Sequence, residues 1–506
     1  MVDFHDRIRK TLTIDPQAPA IEYRQRWTSW GELARTVEGI DAALEAVGAA
    51  PTAPVGAVLR NTPNHAALIL SLVASDRCLV TLNPFYPDET LAEDIRNLRP
   101  PVIVASAEDW RRQALLEVAR EVGAACIQLA DHPDSEVSLL PGLESITGSE
   151  HFAPEPDVLI YMLTSGTTGL PKRIPLTRPR VLKTLEGALR YERNRQLDTP
   201  PSLRKSVMLH MNAMVHIAGL WGLINGVMGG FRICMLDKFD VTEFRRAVAA
   251  HQLKVAGVPP SGVLMLLESD ATKEELSSLI AIRSGTAPTS PDTIDAVMKR
   301  WDIPLLTNYG STEFTGVAGW SIDEFREHWD SRRGSVGRVH NDYDARVIDP
   351  ETGEELPAGT EGVLELRGDF VWDGEWVRTT DLAKLDEDRF LWITGRTDNA
   401  INRGGFKVHG EEIGQILEQH GDVREVCVVG IQDKRLGAVP AAAVVLREGA
   451  SLTSDELGAW AREHMLPYQV PAEFRFVDDL PRTPSMKPKL VAIRSLFGSN
   501  RPAGEA

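Results

Sequence analysis

Four short apolar runs constrain this chain more than anything else in it. They are Val55-Gly56-Ala57-Val58-Leu59, Cys78-Leu79-Val80-Thr81-Leu82, Val102-Ile103-Val104-Ala105 and Val158-Leu159-Ile160-Tyr161-Met162. Helical segments, Asn64 to Ala74 and from Pro87 to about Asn97, separate the first three. Strands that alternate with helices of ten or more residues point to a parallel sheet with crossover helices. Upstream, Ala20-Ile21-Glu22-Tyr23 reads as an edge strand, and the cap Thr28-Ser29 opens an amphipathic helix to about Val47.

The alternation resumes downstream. Ser206 to Leu209 and Phe231 to Leu236 read as strands, Val241 to Gln252 as a helix, and Val255 to Val258 as a strand. Leu279 to Gly285 reads as a strand running into a turn of small residues. From about Gly337 the texture changes to short alternating strands with Gly, Pro and Asp turns, a small β-subdomain. After Arg396 a compact α+β pattern follows, with a helix over Glu411 to Glu418 and strands at Val423 to Gly430 and Ala441 to Leu446. The polar junction Gly395-Arg396-Thr397-Asp398-Asn399 marks the boundary, giving domains 1–395 and 396–506. A chain of 506 residues is expected to hold two or three domains. The expected fold is therefore α/β: a large N-terminal domain of parallel-rich sheets layered with helices plus the β-subdomain, and a smaller α+β C-terminal domain.

Charge narrows the partners. With 55 basic against 72 acidic residues the net charge is −17, which argues against nucleic acid as the main partner. The cysteines Cys78, Cys126, Cys234 and Cys427 are widely spaced in apolar settings, so buried free thiols and a cytoplasmic location are expected. No signal-peptide core opens the chain. The run His216 to Leu236 is broken by Asn225, Arg232 and several glycines, so no membrane span is expected.

After the fourth apolar run comes Thr164-Ser165-Gly166-Thr167-Thr168-Gly169-Leu170-Pro171-Lys172. Backbone N–H groups, hydroxyls and one cation on a glycine-rich loop suit a polyphosphate. This is not a Walker A loop. Counting from Gly166, Pro171 stands where the second glycine belongs, and Arg173 follows Lys172 where Ser or Thr is required.

The loop instead resembles the phosphate loop of the adenylate-forming superfamily, which includes the acyl-CoA synthetases. Further motifs follow in that family's order. Asn308-Tyr309-Gly310-Ser311-Thr312-Glu313 resembles its Y-G-x-T-E signature. The resemblance implies that Tyr309 packs on adenine, Thr312 touches phosphate and Glu313 holds Mg²⁺, a hard cation that prefers carboxylate and phosphate oxygens. Ser284-Gly285-Thr286-Ala287-Pro288 resembles the adenine-contacting turn. Thr379-Thr380-Asp381 matches T-x-D, whose aspartate binds the ribose hydroxyls, and Arg396 matches the arginine that also reaches the ribose. Asp398 falls on the family's hinge, about which the C-terminal domain swings. Gly404 and Gly405 fall on the segment, here Asn402 to Val408, that lines the pantetheine tunnel. Lys487 stands at the catalytic lysine of the terminal signature, although Met486 replaces the usual glycine and Lys489 lies close by. Gly410 and Gly414 also depart from the family, which commonly has proline and glutamate there.

His216 resembles the family's H-x-x-G residue beside the carboxylate pocket, with His210 nearer the strand as the alternative. Met211 to Val215 supplies no aspartate for a substrate ammonium, which favours a neutral acid. Methionines and glycines near the pocket suggest a bulky apolar group. The resemblance implies ATP- and Mg²⁺-dependent activation of such an acid to acyl-AMP, then transfer to coenzyme A. A carrier protein or separate partner enzyme is the alternative acceptor.

Overall fold

The computed structural model describes residues 4–497 except 76, 130–135, 149, 165–171, 191–198, 286–288, 312–313, 369–373, 397–399, 482–487 and 489. The chain divides into two units: residues 1–164, 172–257 and 271–280 in the first, and 165–171, 258–270 and 281–506 in the second. The boundary expected after residue 395 falls within the second unit.

The four apolar runs lie together in the first unit. Strands Ala125–Leu129, Val102–Ser106, Pro54–Val58, Cys78–Leu82 and Val158–Thr164 form a parallel sheet in that spatial order. Antiparallel strands Ser138–Leu139 and Lys172–Thr177 close its two edges. The runs lack a polar face because both faces are covered. Along one strand, Val102 and Val104 face a core shared with helices Trp30–Ala46 and Pro63–Val73. Ile103 and Ala105 face another, shared with helices Asp88–Leu98 and Gln113–Val122. Helix Trp30–Ala46 begins where the sequence placed its cap, with a reciprocal capping box between Ser29 and Glu32.

A second sheet in this unit corrects one expectation. Strand Pro19–Tyr23 is interior, not an edge: it pairs parallel with Arg232–Met235 and antiparallel with Arg26–Ser29. The hairpin turn, Arg24-Gln25, has positive φ at both residues (49° and 64°), so it lacked the glycine or asparagine that usually marks such a turn.

In the second unit, Ala281–Ser284 runs parallel to Leu305–Ser311, which pairs antiparallel with Thr315–Gly319. Strands Tyr343–Ile348, Gly362–Gly368, Val377–Leu385 and Leu391–Arg396 form the antiparallel β-subdomain. Beyond it, Phe406–His409, Ala400–Arg403, Gly437–Leu446 and Val423–Asp433 form a sheet, with Glu473–Phe476 parallel to Gly437–Leu446. Helices Gly410–Leu417 and Ser454–His464 cover it through Ile413, Leu417, Leu457 and Ala461. All four cysteines are buried free thiols. No helix among the described residues is long and apolar enough to cross a membrane.

Candidate functional site

The glycine-rich segment joins two antiparallel neighbours, and its end residues Thr164 and Lys172 face each other in register. Ser165, Gly166, Thr167 and Thr168 lie outside the described residues. The base of the loop is firmly held. Leu163 N–H donates to Thr81 Oγ1 at 2.9 Å. Arg173, the residue that broke the Walker pattern, makes a two-pronged pair with Asp94 at 2.8 and 2.7 Å. Asp94 is 3% exposed, so removing either partner would leave a buried charge uncompensated.

In the second unit several expected nucleotide residues come together. Ser284 ends its strand beside Thr307, its register partner on the parallel neighbour, so Ser284-Gly285 and Asn308-Tyr309 share the carboxyl edge of that pair. Ligands of open parallel sheets bind along such edges. The Ser284 hydroxyl is buried and, among the described residues, has no hydrogen-bond partner. A Cβ on Gly285 would run into the Asn308 side-chain amide, so glycine keeps this edge open. Tyr309 donates its hydroxyl to Asp381 Oδ2 at 2.5 Å. Asp381 N–H is fixed by Thr379 Oγ1 (3.1 Å), which in turn donates to Leu364 C=O (2.8 Å). Asp381 and Arg396 are backbone register partners. Gly310 and Ser311 continue the strand, and Ser311 Oγ accepts from Phe314 N–H at 3.2 Å.

These groups suit a nucleoside: an aromatic ring beside a glycine-opened edge, an unsatisfied hydroxyl for a base edge, and an anchored carboxylate able to accept from a diol. Thr286, Ala287, Thr312, Glu313, Asp398 and Lys487 lie outside the described residues, as does Lys489. Glu313 is the chain's candidate Mg²⁺ ligand.

Asn402 to Val408, the segment that the resemblance places at the pantetheine tunnel, is a hairpin. Gly404 and Gly405 form its turn with φ of 56° and 97°, and Gly404 N–H donates to Leu436 C=O at 2.8 Å. Gly410 has a local cause as well. A Cβ there would meet Val428 C=O at 2.5 Å, so the proline common in the family would not fit.

In the first unit the two histidines differ. His210 is 4% exposed, faces Gly222, and its Nε2 has no partner among the described residues. Desolvation pushes its pKa down to about 4. His216 caps helix Ile217–Met228 through its backbone and keeps part of its surface open, yet its ring sits deep enough that desolvation also lowers its pKa to about 4. Both rings are neutral at pH 7.

Sequence reading missed Asn61. Its amide donates to the carbonyls of Asn212 and Leu236 (both 3.1 Å) and accepts from Met214 N–H (2.9 Å). It thus clamps the segment leading into His216. The first turn of that helix lies against the same segment, where a Cβ on Gly219 would clash with Ala213 C=O. The only signal was a lone amide just past an apolar strand.

The profile of AMP-binding enzymes matches residues 8–376, and that of their C-terminal domain matches residues 412–487. The chain belongs to the AMP-binding enzyme family. It is thereby an adenylate-forming ligase of the acyl-CoA synthetase class. The first match contains the glycine-rich loop and Asn308 to Glu313, and the second ends on Lys487. Asp381, Arg396 and the 404–405 turn fall between the two.

Among relatives, 4-coumarate–CoA ligase 3 of Oryza sativa subsp. japonica is 27% identical, over 88% of this chain and 83% of that protein. The amide bond synthetase McbA of Marinactinospora thermotolerans shares the fold, with a TM-score of 0.82 at 24% identity, over 98% of this chain and all of that one. ATP-bound MatB of Rhodopseudomonas palustris matches with a TM-score of 0.66 at 26% identity, over 97% of this chain and 98% of that one.

Proposed function

We propose that this AMP-binding enzyme joins a neutral, bulky apolar carboxylic acid to coenzyme A through an acyl-adenylate. The observation that carries the reading is the convergence of Ser284-Gly285 and Asn308-Tyr309 on one sheet edge, with the anchored Asp381 of the β-subdomain bonded to Tyr309, an arrangement suited to adenosine. Residues 1–395 act as the adenylation domain and 396–506 as a mobile C-terminal domain hinged at Asp398.

In the first step the carboxylate attacks the α-phosphorus of ATP in line and pyrophosphate leaves. Thr164 to Thr168 and Lys172 hold the phosphates, with Thr312 beside them, and Ser284 to Ala287 with Asn308 to Ser311 receive the adenine. Asp381 and Arg396 hold the ribose. Glu313 would hold Mg²⁺, which would supply charge neutralisation at the phosphate oxygens. Lys487, a compact ammonium, stabilises charge developing on the α-phosphoryl oxygens. Neutral His216 shields the carboxylate pocket. It offers a polar edge without a competing positive charge.

In the second step the thiol attacks the acyl carbonyl and AMP leaves, with Gly404 and Gly405 giving the backbone clearance that pantetheine needs. Support for the thioester comes from the name of the rice relative, and McbA's name identifies an amine as the acceptor to test against it. Pyrophosphate exchange across a panel of carboxylic acids, with mass detection of product, tests the reading. Acid-dependent exchange plus acyl-CoA is expected. Exchange that yields product only with an amine or a carrier protein would overturn the coenzyme A assignment, and no exchange with any acid would overturn adenylation itself.

A further inference from the structure

Away from the nucleotide residues, three metal-ligand side chains meet inside the first unit. Glu22 and Cys234 are register partners on the parallel strands Pro19–Tyr23 and Arg232–Met235. His251 is the last residue of helix Val241–His251. One ligand atom from each, a carboxylate oxygen, a thiol sulfur and an imidazole nitrogen, lie within 4.8 Å of one another. The side chains of Glu22 and His251 are 4% and 12% exposed, and Cys234 is 1% exposed.

A second observation points to a cation. Glu22 Oε2 and His251 Nε2 lie 2.5 Å apart, yet both are buried without a well-aligned hydrogen bond to any described residue. At that separation the imidazole nitrogen and the carboxylate oxygen face each other without a well-directed hydrogen bond, a costly arrangement that a cation shared by both atoms would relieve. The surrounding groups suit a bound ion. Arg246 holds the other carboxylate oxygen, Glu22 Oε1, at 2.9 Å, is itself anchored by Glu243 at 2.8 Å, and reaches Cys234 Sγ at 3.9 Å. An arginine bonded to the non-ligating oxygen is the outer partner that orients a ligand carboxylate. The Trp27 ring meets His251 edge to face at 5.8 Å and fixes the imidazole plane.

We propose that Glu22 Oε2, Cys234 Sγ and His251 Nε2 bind a divalent transition-metal ion of the zinc class. Mixed S, N and O donors select such an ion over Mg²⁺ or Ca²⁺. The thiol proton leaves to solvent as the sulfur–metal bond forms, and the thiolate and carboxylate together neutralise the ion's two charges. Burial otherwise pushes the Cys234 thiol up to about 11, so the site holds a protonated thiol until a metal displaces the proton. The ion ties the end of helix Val241–His251 to the strand pair beneath it.

The test is titration of chelator-treated full-length protein with Co²⁺, followed by its thiolate charge-transfer and four-coordinate visible bands, and with Zn²⁺ as competitor. A single equivalent that Zn²⁺ displaces is expected. Cys234→Ser abolishes the charge-transfer band. His251→Gln, at the most exposed of the three positions, weakens binding by at least about tenfold. Cys126→Ser leaves the signal intact. Absence of the bands in the wild-type protein, or a band that survives Cys234→Ser, would overturn the proposal and leave an Arg246–Glu22–His251 ion network. Should Cys234→Ser fail to fold, the folded His251→Gln protein decides: unchanged Co²⁺ affinity there overturns the site.

Discussion

An alanine at position 285 would press its methyl group into the Asn308 side chain at the edge proposed for adenine. Asn308 is exposed and its amide can rotate away, so Gly285→Ala should fold normally while raising the KM for ATP severalfold in pyrophosphate exchange. An unchanged KM would remove Gly285 from the site. Asp381→Asn keeps the shape but replaces a charged acceptor with an amide, and a charge-assisted bond is roughly twice as strong as a neutral one. The KM for ATP should rise about tenfold with little change in the KM for the acid. Asn61 acts on the opposite side of that split. Asn61→Ala leaves Met214 N–H and two carbonyls without their partner, costing about 1–3 kcal/mol in urea unfolding. It should raise the KM for the acid more than that for ATP, because the loosened segment carries His216. Lys487→Ala should abolish acyl-AMP formation yet leave thioester formation from supplied acyl-AMP. Equal loss of both halves would contradict its role.

At the scale of elements, Glu412 makes a pH-dependent contribution. It sits near the start of helix Gly410–Leu417, accepts from Gln469 Nε2 at 2.8 Å, and its other oxygen is buried without a partner among the described residues. Burial raises its pKa to about 7. Between about pH 4.5 and 7 the folded chain therefore holds a proton that the unfolded chain has released, so this group's contribution to stability falls as pH rises through that window. Glu412→Gln keeps the acceptor and removes the charge. At pH 8 it should stabilise the protein by roughly 2 kcal/mol, and at pH 4 by almost nothing, in chemical denaturation. A gain independent of pH would contradict the assignment.

The elements also show what the sequence could disclose. The apolar runs revealed the parallel sheet because strands covered on both faces have no polar period to confuse the reading. Strand Pro19–Tyr23 was misread as an edge because its partner Arg232–Met235 lies some two hundred residues away, a distance periodicity cannot sense. The hairpin around Gly404 escaped the reading because its strands, Ala400–Arg403 and Phe406–His409, are only four residues each. The nucleotide edge was legible through its motifs, whereas Asn61 and the Glu22–Cys234–His251 meeting exist only once distant strands pair.

Across the whole molecule the buried ionisable groups pull in opposite directions with pH. His65 and His210, both in the first unit, have pKa values lowered to about 4 by desolvation. Between about pH 6.5 and 4 the unfolded chain binds protons that the folded chain refuses, so their contribution is present above pH 6.5 and is lost as pH falls through the window. Glu412, in the second unit, gains over much of the same range. Hydrogen exchange corrected for intrinsic rates should therefore show helix Pro63–Val73 losing protection between pH 7 and pH 5 while strand Val423–Asp433 holds or gains it. A uniform change in both would contradict the regional assignment. The central claim concerns the acid itself, which is held to become an acyl-adenylate before it meets a thiol. Its most direct test is turnover with a carboxylate labelled in both oxygens with oxygen-18, followed by mass analysis of the nucleotide and the acyl product. The account requires one labelled oxygen to appear in AMP and the other to remain in the thioester. Unlabelled AMP, or ADP as the nucleotide product, would contradict it.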